Sequence, residues 1–365
     1  MDAIATVRAA GGDAVEVNGS VDRGVLVFEV PTELTASGSF DYHVDFSTED
    51  GSVAQYPAPD AFMEAISMST AEVVDLGRAS WATDEQSTGI PVAAGARGKG
   101  ENEFGINPEG NGPSSFDVGP DGELVIVDRQ NSRLVQFTRD GERKNLPIDL
   151  SQGEPDIVVA PDGTLLILNA SAAPGLASLD EFAPDGGKSN SHTMLPAAGN
   201  AIRRIGDAVF VEADDSRWTP VWREGHTLQV NEQSAAGVPG VPNANDTAPV
   251  MRKHLREAGN EVRITSSGPD GVQAWRLVGE TQLGPVVEAS PLDDGRVPVV
   301  QSQFENTHSQ YTVLIPGGSE VERFVIPAQN FAGFYTEFSV ADNSLFQARS
   351  TKSGYGVWRY DLGEK

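Results

Sequence analysis

The sequence predicts an all-β fold assembled from repeated units of short strands, and three observations lead to this prediction. The stretch 112–141 holds three short apolar runs, Phe116–Val118, Leu124–Val127 and Leu134–Phe137. The first two runs are joined by Pro120-Asp121-Gly122, in which Pro presets the turn φ and Gly supplies a positive φ. Gly (39 residues) and Pro (23 residues) make up about a sixth of the chain, above the average usage of roughly 12%. Because strands this short cannot bury a face alone, the unit must stack against copies of itself.

The best-preserved unit also carries a family signal. The matching positions are Glu103-Phe104, Pro113–Val118, Pro120-Asp121-Gly122, Val127-Asp128 and Asn131–Phe137. This pattern resembles an NHL repeat, with Ser132 in place of the His that gives the family its name. The resemblance covers about forty residues, the length of one four-stranded blade, and implies a β-propeller, most often six-bladed. Propeller families of this kind include sugar lactonases, amidating lyases, virginiamycin-type lyases, sensor ectodomains and RNA-binding scaffolds, so the fold alone does not define a function.

Residues 1–80 do not fit the repeat, and we predict that they form an N-terminal β extension or small subdomain ahead of a propeller at 81–365. Short apolar or alternating runs bounded by turn residues predict its strands. These strands are Val15–Val17, Val25–Val30, Phe40–Phe46 and Val53–Tyr56. A short helical turn is predicted at Ala61–Met68.

Copies of the unit follow at the period of a propeller blade. Pro161-Asp162-Gly163 repeats the first turn after about 41 residues, and six units of about 46 residues account for the chain from residue 89 onward. The last unit has only three predicted strands, so the N-terminal side must supply a fourth, either Glu72–Leu76 or Ile90–Ala94. We therefore predict six blades, or seven if the N-terminal region supplies a complete one.

Composition restricts the function. The formal charge of −27 repels nucleic-acid phosphates and anionic membranes. It leaves open an attraction for cations or basic partners, or a purely solubilising acidic surface.

The absence of Cys excludes disulfides, zinc–thiolate sites and thiol nucleophiles. No apolar run of transmembrane length is present. The opening Met1-Asp2-Ala3 has no signal-peptide pattern and resembles an added Met on a mature chain. The family resemblance, rather than these residues, implies a secreted or cell-envelope protein whose leader has been removed.

The candidate site is the set of residues that open the innermost strands, since in propellers these residues ring one mouth of the central channel. They are Ser114, Ser115, Glu154, Asn200, His254, Glu288 and Tyr335. Six-bladed lactonases hold a divalent cation at this position with Glu, Asn and Asp. The resemblance therefore implies Glu154 and Asn200 as ligands of Ca²⁺ or Mg²⁺, with Glu288 as general base.

Two observations weaken the metal hypothesis. The lactonase motifs around the implied ligands are missing, and ordinary solvated channel polars explain the same residues. Ser114, Ser115, His254 and Tyr335 then belong to a binding face rather than to a catalytic site. The pair Arg203-Arg204 has two interpretations, a carboxylate-binding site or surface ion pairs within an acidic protein.

The sequence thus favours an extracytoplasmic binding or scaffold propeller, acting as a monomer on a protein partner or a small molecule. Recognition is predicted on one face, around the channel mouth, through the loops Ile90–Asn111 and Asn231–Pro249. The alternatives are a divalent-cation-dependent hydrolase or lyase of the lactonase kind, and a sensor ectodomain.

Overall fold

The computed structural model describes 22 ranges of the chain. These are 2–9, 13–22, 25–28, 30–31, 39–47, 53–56, 63–66, 72–81, 89–148, 154–171, 175–195, 199–212, 217–230, 238–239, 241–242, 251–253, 260–268, 271–292, 296–306, 308–317, 320–328 and 336–363. Within these ranges the chain is nearly all β, and its one described helical element is a 3-10 turn at Arg129–Asn131. No helix in the described part is long and apolar enough to cross a membrane.

Contacts between residues divide the chain into two units, 1–75 with 263–277, and 76–262 with 278–365. The grouping of 263–277 with the N-terminal segment was not expected from the sequence. The predicted domain boundary at residue 80 stays a prediction.

The first unit contains a sheet in the order β3-β2-β1-β4-β5, with β6 also paired to β4. The strands are β1 (Asp2–Ala9), β2 (Ala14–Asp22), β3 (Val25–Phe28), β4 (Ser39–Ser47), β5 (Val53–Tyr56) and β6 (Met63–Ile66). Their buried apolar residues are Ala5, Val7, Val17 and Val44. The predicted strands Val15–Val17, Phe40–Phe46 and Val53–Tyr56 are confirmed, and Val25–Val30 is confirmed over Val25–Phe28. The helical turn predicted at Ala61–Met68 is wrong, because Met63–Ile66 pairs with β4 and this tertiary pairing overrides local preference.

Six further sheets are built on four strands each. Sheet 1 has the order β12-β11-β10-β9, from β9 (Ser115–Val118), β10 (Leu124–Asp128), β11 (Arg133–Phe137) and β12 (Arg143–Pro147). Sheet 2 is β13 (Glu154–Val159), β14 (Leu165–Ala170), β15 (Ser178–Phe182) and β16 (Lys188–Met194). Sheet 3 is β17 (Ala201–Ile205), β18 (Ala208–Glu212), β19 (Arg217–Arg223) and β20 (His226–Thr227), with β21 (Val238–Pro239) also on β19.

The other three sheets follow the same plan. Sheet 4 has the order β22-β23-β24-β7, from β7 (Glu72–Asp75), β22 (Met251–Lys253), β23 (Glu261–Gly268) and β24 (Gly271–Val278). Sheet 5 is β25 (Gln282–Glu288), β26 (Val299–Glu305), β27 (His308–Gly317) and β28 (Glu320–Pro327). Sheet 6 has the order β29-β30-β31-β8, from β8 (Ile90–Ala96), β29 (Phe338–Ala341), β30 (Ser344–Ser350) and β31 (Gly354–Asp361).

The expected strand exchange from the N-terminal side is present in sheet 6. Strand β8 pairs antiparallel with β31, and Ala93 lies opposite Val357. Of the two predicted donors, Ile90–Ala94 therefore completes the last sheet, while Glu72–Asp75 lies beside β24 in sheet 4. This exchange ties the last sheet of the chain to a strand that precedes the first.

The Pro-Asp-Gly segments are turns, as predicted. In Pro120-Asp121-Gly122 the Gly122 φ is +77°, and the Gly122 N–H donates to the Gly119 carbonyl. In Pro161-Asp162-Gly163 the Gly163 φ is +86°. These Gly residues hold left-handed backbone that other residues adopt only under strain.

The apolar core lies between consecutive sheets. One buried cluster joins sheets 1 and 2 and includes Leu134 and Ile157, a second joins sheets 2 and 3, a third joins sheets 6 and 1 and a fourth joins sheets 5 and 6. We call β9, β13, β17, β25 and β29 the inner strands. Each is an edge strand of its sheet, and the described contacts join them in the order β17, β13, β9, β29, β25. Four-stranded antiparallel sheets packed face to face with their first strands side by side form a β-propeller. That the ring has six blades stays a prediction.

Candidate functional site

A fully buried carboxylate, Asp156 on β13, connects several inner strands. Its Oδ1 accepts hydrogen bonds from Ser115 Oγ at 2.5 Å and from Thr336 Oγ1 at 2.6 Å. Its Oδ2 accepts from the Ile202 N–H at 2.9 Å and from Arg203 Nη1 at 3.1 Å. One acid thus joins β9, β13, β17 and the residues before β29.

Arg203 supplies the positive charge of this group. Its Nη1 also donates to Thr336 Oγ1 at 2.9 Å, and its Nε lies 3.8 Å from Glu288 Oε2. Burial alone would lower the pKa of Arg203, but the Asp156 and Glu288 carboxylates outweigh burial and raise that pKa. Arg203 therefore stays charged and holds two acids of different sheets together.

A second polar group lies further along the inner strands. Asp117 on β9 accepts hydrogen bonds from the Val159 N–H at 2.9 Å and from Ser339 Oγ at 2.8 Å. Arg204 Nη2 donates to the Val118 carbonyl at 3.2 Å. Burial raises the pKa of Asp117 above its usual value, although the Arg204 charge and the Val159 and Ser339 hydrogen bonds oppose the shift.

The raised pKa of Asp117 predicts a pH-dependent stability. Because the folded protein binds this proton more tightly than the unfolded chain, the contribution of Asp117 is fully present below the unfolded pKa of about 3.9 and is lost as the pH rises through the folded pKa. We expect Asp117→Asn to become more stable relative to the natural protein as the pH rises from about 4 to about 7. Urea unfolding across this range measures the difference.

The matched control is Asp121→Asn, an exposed position in the turn after the same strand. A difference between Asp117→Asn and the natural protein that does not change with pH would contradict the raised pKa.

A pocket of about 180 Å³ lies at the carboxyl ends of four inner strands, β9, β17, β25 and β29. Its lining residues are Pro120, Arg204, Gly206, Pro291, Leu292, Val340, Ala341, Asp342 and Asn343. The pocket is small, and charged, polar and apolar residues meet in it.

Two of the lining residues carry buried polar atoms that have no hydrogen-bond partner among the described residues. They are Arg204 Nε, a donor, and Asn343 Oδ1, an acceptor. Buried polar atoms in folded proteins are nearly always paired. These two atoms have almost no accessible surface, so they are enclosed by protein and do not open into the pocket.

The local sequence explains how Asn343 reaches the pocket. Asp342 and Asn343 form the two-residue hairpin between β29 and β30, with φ of +47° and +53°. Both values fit a type I′ turn, which Asp and Asn tolerate better than other non-Gly residues. Asn343 thus supplies both the positive φ that the turn requires and a polar side chain in the lining of the pocket.

Three of the predicted site residues lie in the buried polar groups. Ser115 contacts Asp156, Ser114 Oγ donates to the Pro155 carbonyl at 3.4 Å, and Glu288 lies beside Arg203. Glu288 does not open its strand as expected: it ends β25, because that strand begins at Gln282 and its register shifts twice before Glu288. Glu288 Oε1 accepts hydrogen bonds from the two following N–H groups and from a Ser hydroxyl. Its role as a general base stays a prediction.

The proposed metal ligands stay untested. Glu154 begins β13, and the Asn200 N–H donates to the Glu212 carbonyl at 2.7 Å. In the described ranges, no three His, Asp or Glu side chains are grouped so that they could hold a metal ion. The binding-face residues His254 and Tyr335 lie outside the described residues.

Sequence reasoning missed Asp117, Asp156 and Asn343. A signal was present for the two acids, since each stands within an apolar run on an inner strand, in Phe116-Asp117-Val118 and Pro155-Asp156-Ile157. An acid in such a run needs a buried partner. The interpretation of Arg203-Arg204 as surface ion pairs is wrong for Arg203, because its pair with Asp156 is buried.

Comparisons with known proteins do not identify this chain. No family model matches the sequence, and no curated protein matches it. Similar solved structures include virginiamycin B lyase from Staphylococcus aureus, with 10% identity, a TM-score of 0.39, and coverage of 73% of this chain and 98% of that chain. Another is the PQQ-bound aldose sugar dehydrogenase from Streptomyces coelicolor, with 11% identity, a TM-score of 0.38, and coverage of 74% and 99%.

These similarities are too low to transfer a ligand or an activity. The sheet topology and the pocket define this chain as a β-propeller protein with a small polar pocket at the carboxyl ends of its inner strands.

Proposed function

We propose that this chain is a ligand-binding β-propeller, of the NHL-like kind that residues 103–137 resemble, and that its ligand binds in the pocket at the ends of the inner strands. The observation that carries this proposal is the cavity of about 180 Å³ itself, which Arg204, Asp342 and Asn343 line together with Pro291 and Leu292. Polar groups placed in such a cavity fix the orientation of a ligand.

The surroundings of the pocket favour recognition by a rigid site. Arg204 is held by the Val118 carbonyl and by the charge of Asp117, and Asn343 is held by a tight hairpin whose main chain bonds Leu362. Groups fixed before the ligand arrives lose little freedom on binding. The partner is a small molecule or a short chain segment, because about 180 Å³ admits no more.

The test uses Asn343→Gly, which removes a polar side chain from the lining of the pocket while keeping the backbone. Gly suits the φ of +53°, so the hairpin should fold as before. We expect ligands found by screening small molecules and short peptides to bind this variant about tenfold more weakly, the effect of one lost hydrogen bond. Thermal shift detects the ligands, and calorimetry measures their affinity.

The matched control is Asn306→Gly. Asn306 is an exposed Asn with a φ of +56° beside the hairpin of β26 and β27, so the same exchange there should leave affinity unchanged. Equal affinities of the natural protein and Asn343→Gly for every ligand found would contradict the proposal.

We also propose an extracytoplasmic location, which the resemblance of residues 103–137 to an NHL repeat implies. Fractionation of the source cells with an antibody against this chain tests it: recovery from the cytoplasmic fraction alone would refute it. The cation-dependent hydrolase and the sensor ectodomain stay predictions.

A further inference from the structure

A group of exposed cations lies where the connection after β8 meets two hairpin turns. It consists of Arg97 and Lys99 in the connection, Arg129 in the turn after β10 and Lys352 in the turn after β30. We call these four residues the basic patch. The two turns lie at the ends of β10 and β30 that are opposite to the pocket, so the basic patch is separate from the proposed ligand site.

Hydrogen bonds hold the three segments of the basic patch against one another. The Arg97 N–H donates to the Ser353 carbonyl at 2.9 Å, which joins the connection to the turn after β30. Asn131 Nδ2 donates to the Gly98 carbonyl at 3.0 Å, which joins the same connection to the turn after β10. The four cations therefore stand on neighbouring pieces of backbone that are bonded to each other.

The charges of the basic patch differ from those of the chain as a whole. The chain has 53 Asp and Glu residues against 26 Lys and Arg residues, so a surface cation has many acids to pair with. Among the described residues, however, no salt bridge involves Arg97, Lys99 or Lys352. The exposed acids of the same segments are Glu101 and Glu109. The basic patch thus has a local excess of positive charge.

The layer beneath the connection is positive as well. Arg133 and Arg143 both donate to the Glu103 carbonyl, at 2.5 Å and 2.9 Å, and the buried acid Asp128 accepts from Arg133 at 2.9 Å. Burial and the charge of Arg133 lower the pKa of Arg143, although Asp128 and Glu101 oppose the shift. The neighbouring acids therefore do not cancel the positive charge under the connection.

The arrangement of the cations indicates the kind of anion that fits. The net charge of −27 repels a long polyanion, whereas a short anionic segment close to the basic patch is attracted, because charges in physiological salt interact over only about 8 Å. Exposed ion pairs are individually weak, and the cations stand on three segments, so several anionic groups along one chain are needed. Carboxylates suit both cation types, since they pair with the Arg fork and with the Lys ammonium.

We propose that the basic patch is a docking surface for an acidic peptide segment of a partner protein, whose Asp and Glu side chains pair with Arg97, Lys99, Arg129 and Lys352. The local positive charge also speeds the encounter, because opposite charges steer association. This surface goes beyond the pocket and does not depend on the proposed function.

The experiment measures binding of a fluorescein-labelled peptide of five Glu-Gly repeats by fluorescence anisotropy. We expect the natural protein to bind this peptide, and to bind it more weakly as the salt concentration rises from about 10 mM to about 150 mM, because the screening length falls from about 30 Å to about 8 Å. The same peptide with Gln in place of Glu lacks the carboxylates and should bind at least about tenfold more weakly.

Two triple variants with the same net charge locate the binding. The first removes three cations of the basic patch by Arg97→Gln, Lys99→Gln and Lys352→Gln. The matched control removes three exposed cations elsewhere by Arg78→Gln, Arg139→Gln and Arg323→Gln. We expect the first variant to bind the Glu peptide about tenfold more weakly, the effect of several exposed ion pairs, and the control to bind it like the natural protein. Thermal unfolding checks that both variants fold.

Three outcomes would overturn the proposal. The first is equal affinity of the two triple variants, or no binding of the Glu peptide at low salt. The second is tighter binding of a labelled single strand of ten thymidines than of the Glu peptide, because the partner would then be a nucleic acid. The third is self-association of the natural protein in sedimentation velocity that the first variant loses, because the basic patch would then join copies of this chain.

Discussion

Asp156→Ala is expected to lower the free energy of unfolding by about 3–5 kcal/mol, the cost of removing one partner from a buried ion pair. The carboxylate is fully buried and accepts from side chains and N–H groups of three other chain segments. Its loss leaves Glu288, 3.8 Å away, as the remaining ion-pair partner of Arg203 among the described residues. It also leaves the Ile202 N–H and two hydroxyls without their acceptor. Urea unfolding followed by tryptophan fluorescence measures the change.

Asp162→Ala is the matched control, because Asp162 lies in the turn after the same strand, is exposed, and accepts from the Thr164 N–H at 2.9 Å. We expect its effect to stay within about 1 kcal/mol. A loss in Asp156→Ala no larger than in the control would show that the buried group does not hold the inner strands together.

Much of the fold could be predicted from local signals. Pro-Asp-Gly turns between apolar runs located β9, β10 and β14, because turn chemistry acts over a few residues. The exchange strand was predicted only as one of two segments, Glu72–Leu76 or Ile90–Ala94. Both are short and apolar, and the choice depends on which distant edge each one meets, which local sequence does not encode.

The candidate site was less accessible to sequence reasoning. Ser115 was found because it opens an inner strand, but its partner Asp156 is 41 residues away in the chain. The pocket residues come from the ends of strands and from the turns that follow them in four sheets, and their grouping follows from how the sheets pack. Asn343 combines a turn requirement with an unmet acceptor, and only the first of these can be read from the sequence.

In the motif that resembles an NHL repeat, Asp128 and Arg133 hold the connection between β8 and β9 through hydrogen bonds. We call these two residues the clamp. Asp128 is fully buried and accepts from the Gly105 N–H at 3.0 Å, from Asn131 Nδ2 at 2.9 Å and from Arg133 Nε at 2.9 Å. Arg133 in turn donates to the carbonyls of Gly100 and Glu103. A Cβ at Gly105 would lie 2.8 Å from Asp128 Oδ1 and closer still to Gln130 Cβ, so this close approach requires Gly.

We expect Asp128→Ala to lower the free energy of unfolding by about 3 kcal/mol, because it leaves Arg133, which is only 11% exposed, without its acid. The released connection contains Arg97 and Lys99, which are exposed and are cleaved by trypsin when the backbone opens locally. Limited trypsin digestion with mass spectrometry should therefore show faster cleavage at these two sites.

Asp121→Ala, in the exposed turn of the same sheet, is the matched control and should be digested like the natural protein. Faster cleavage confined to Arg97 and Lys99 would show that the clamp orders this connection. If Asp128→Ala unfolds at the same urea concentration as the control and is cut no faster, the motif does not stabilise the connection. The resemblance at Asp128, Asn131 and Arg133 would then need another explanation. Because the connection leads from the strand that completes sheet 6 into sheet 1, a loosened clamp should also weaken the exchange of β8.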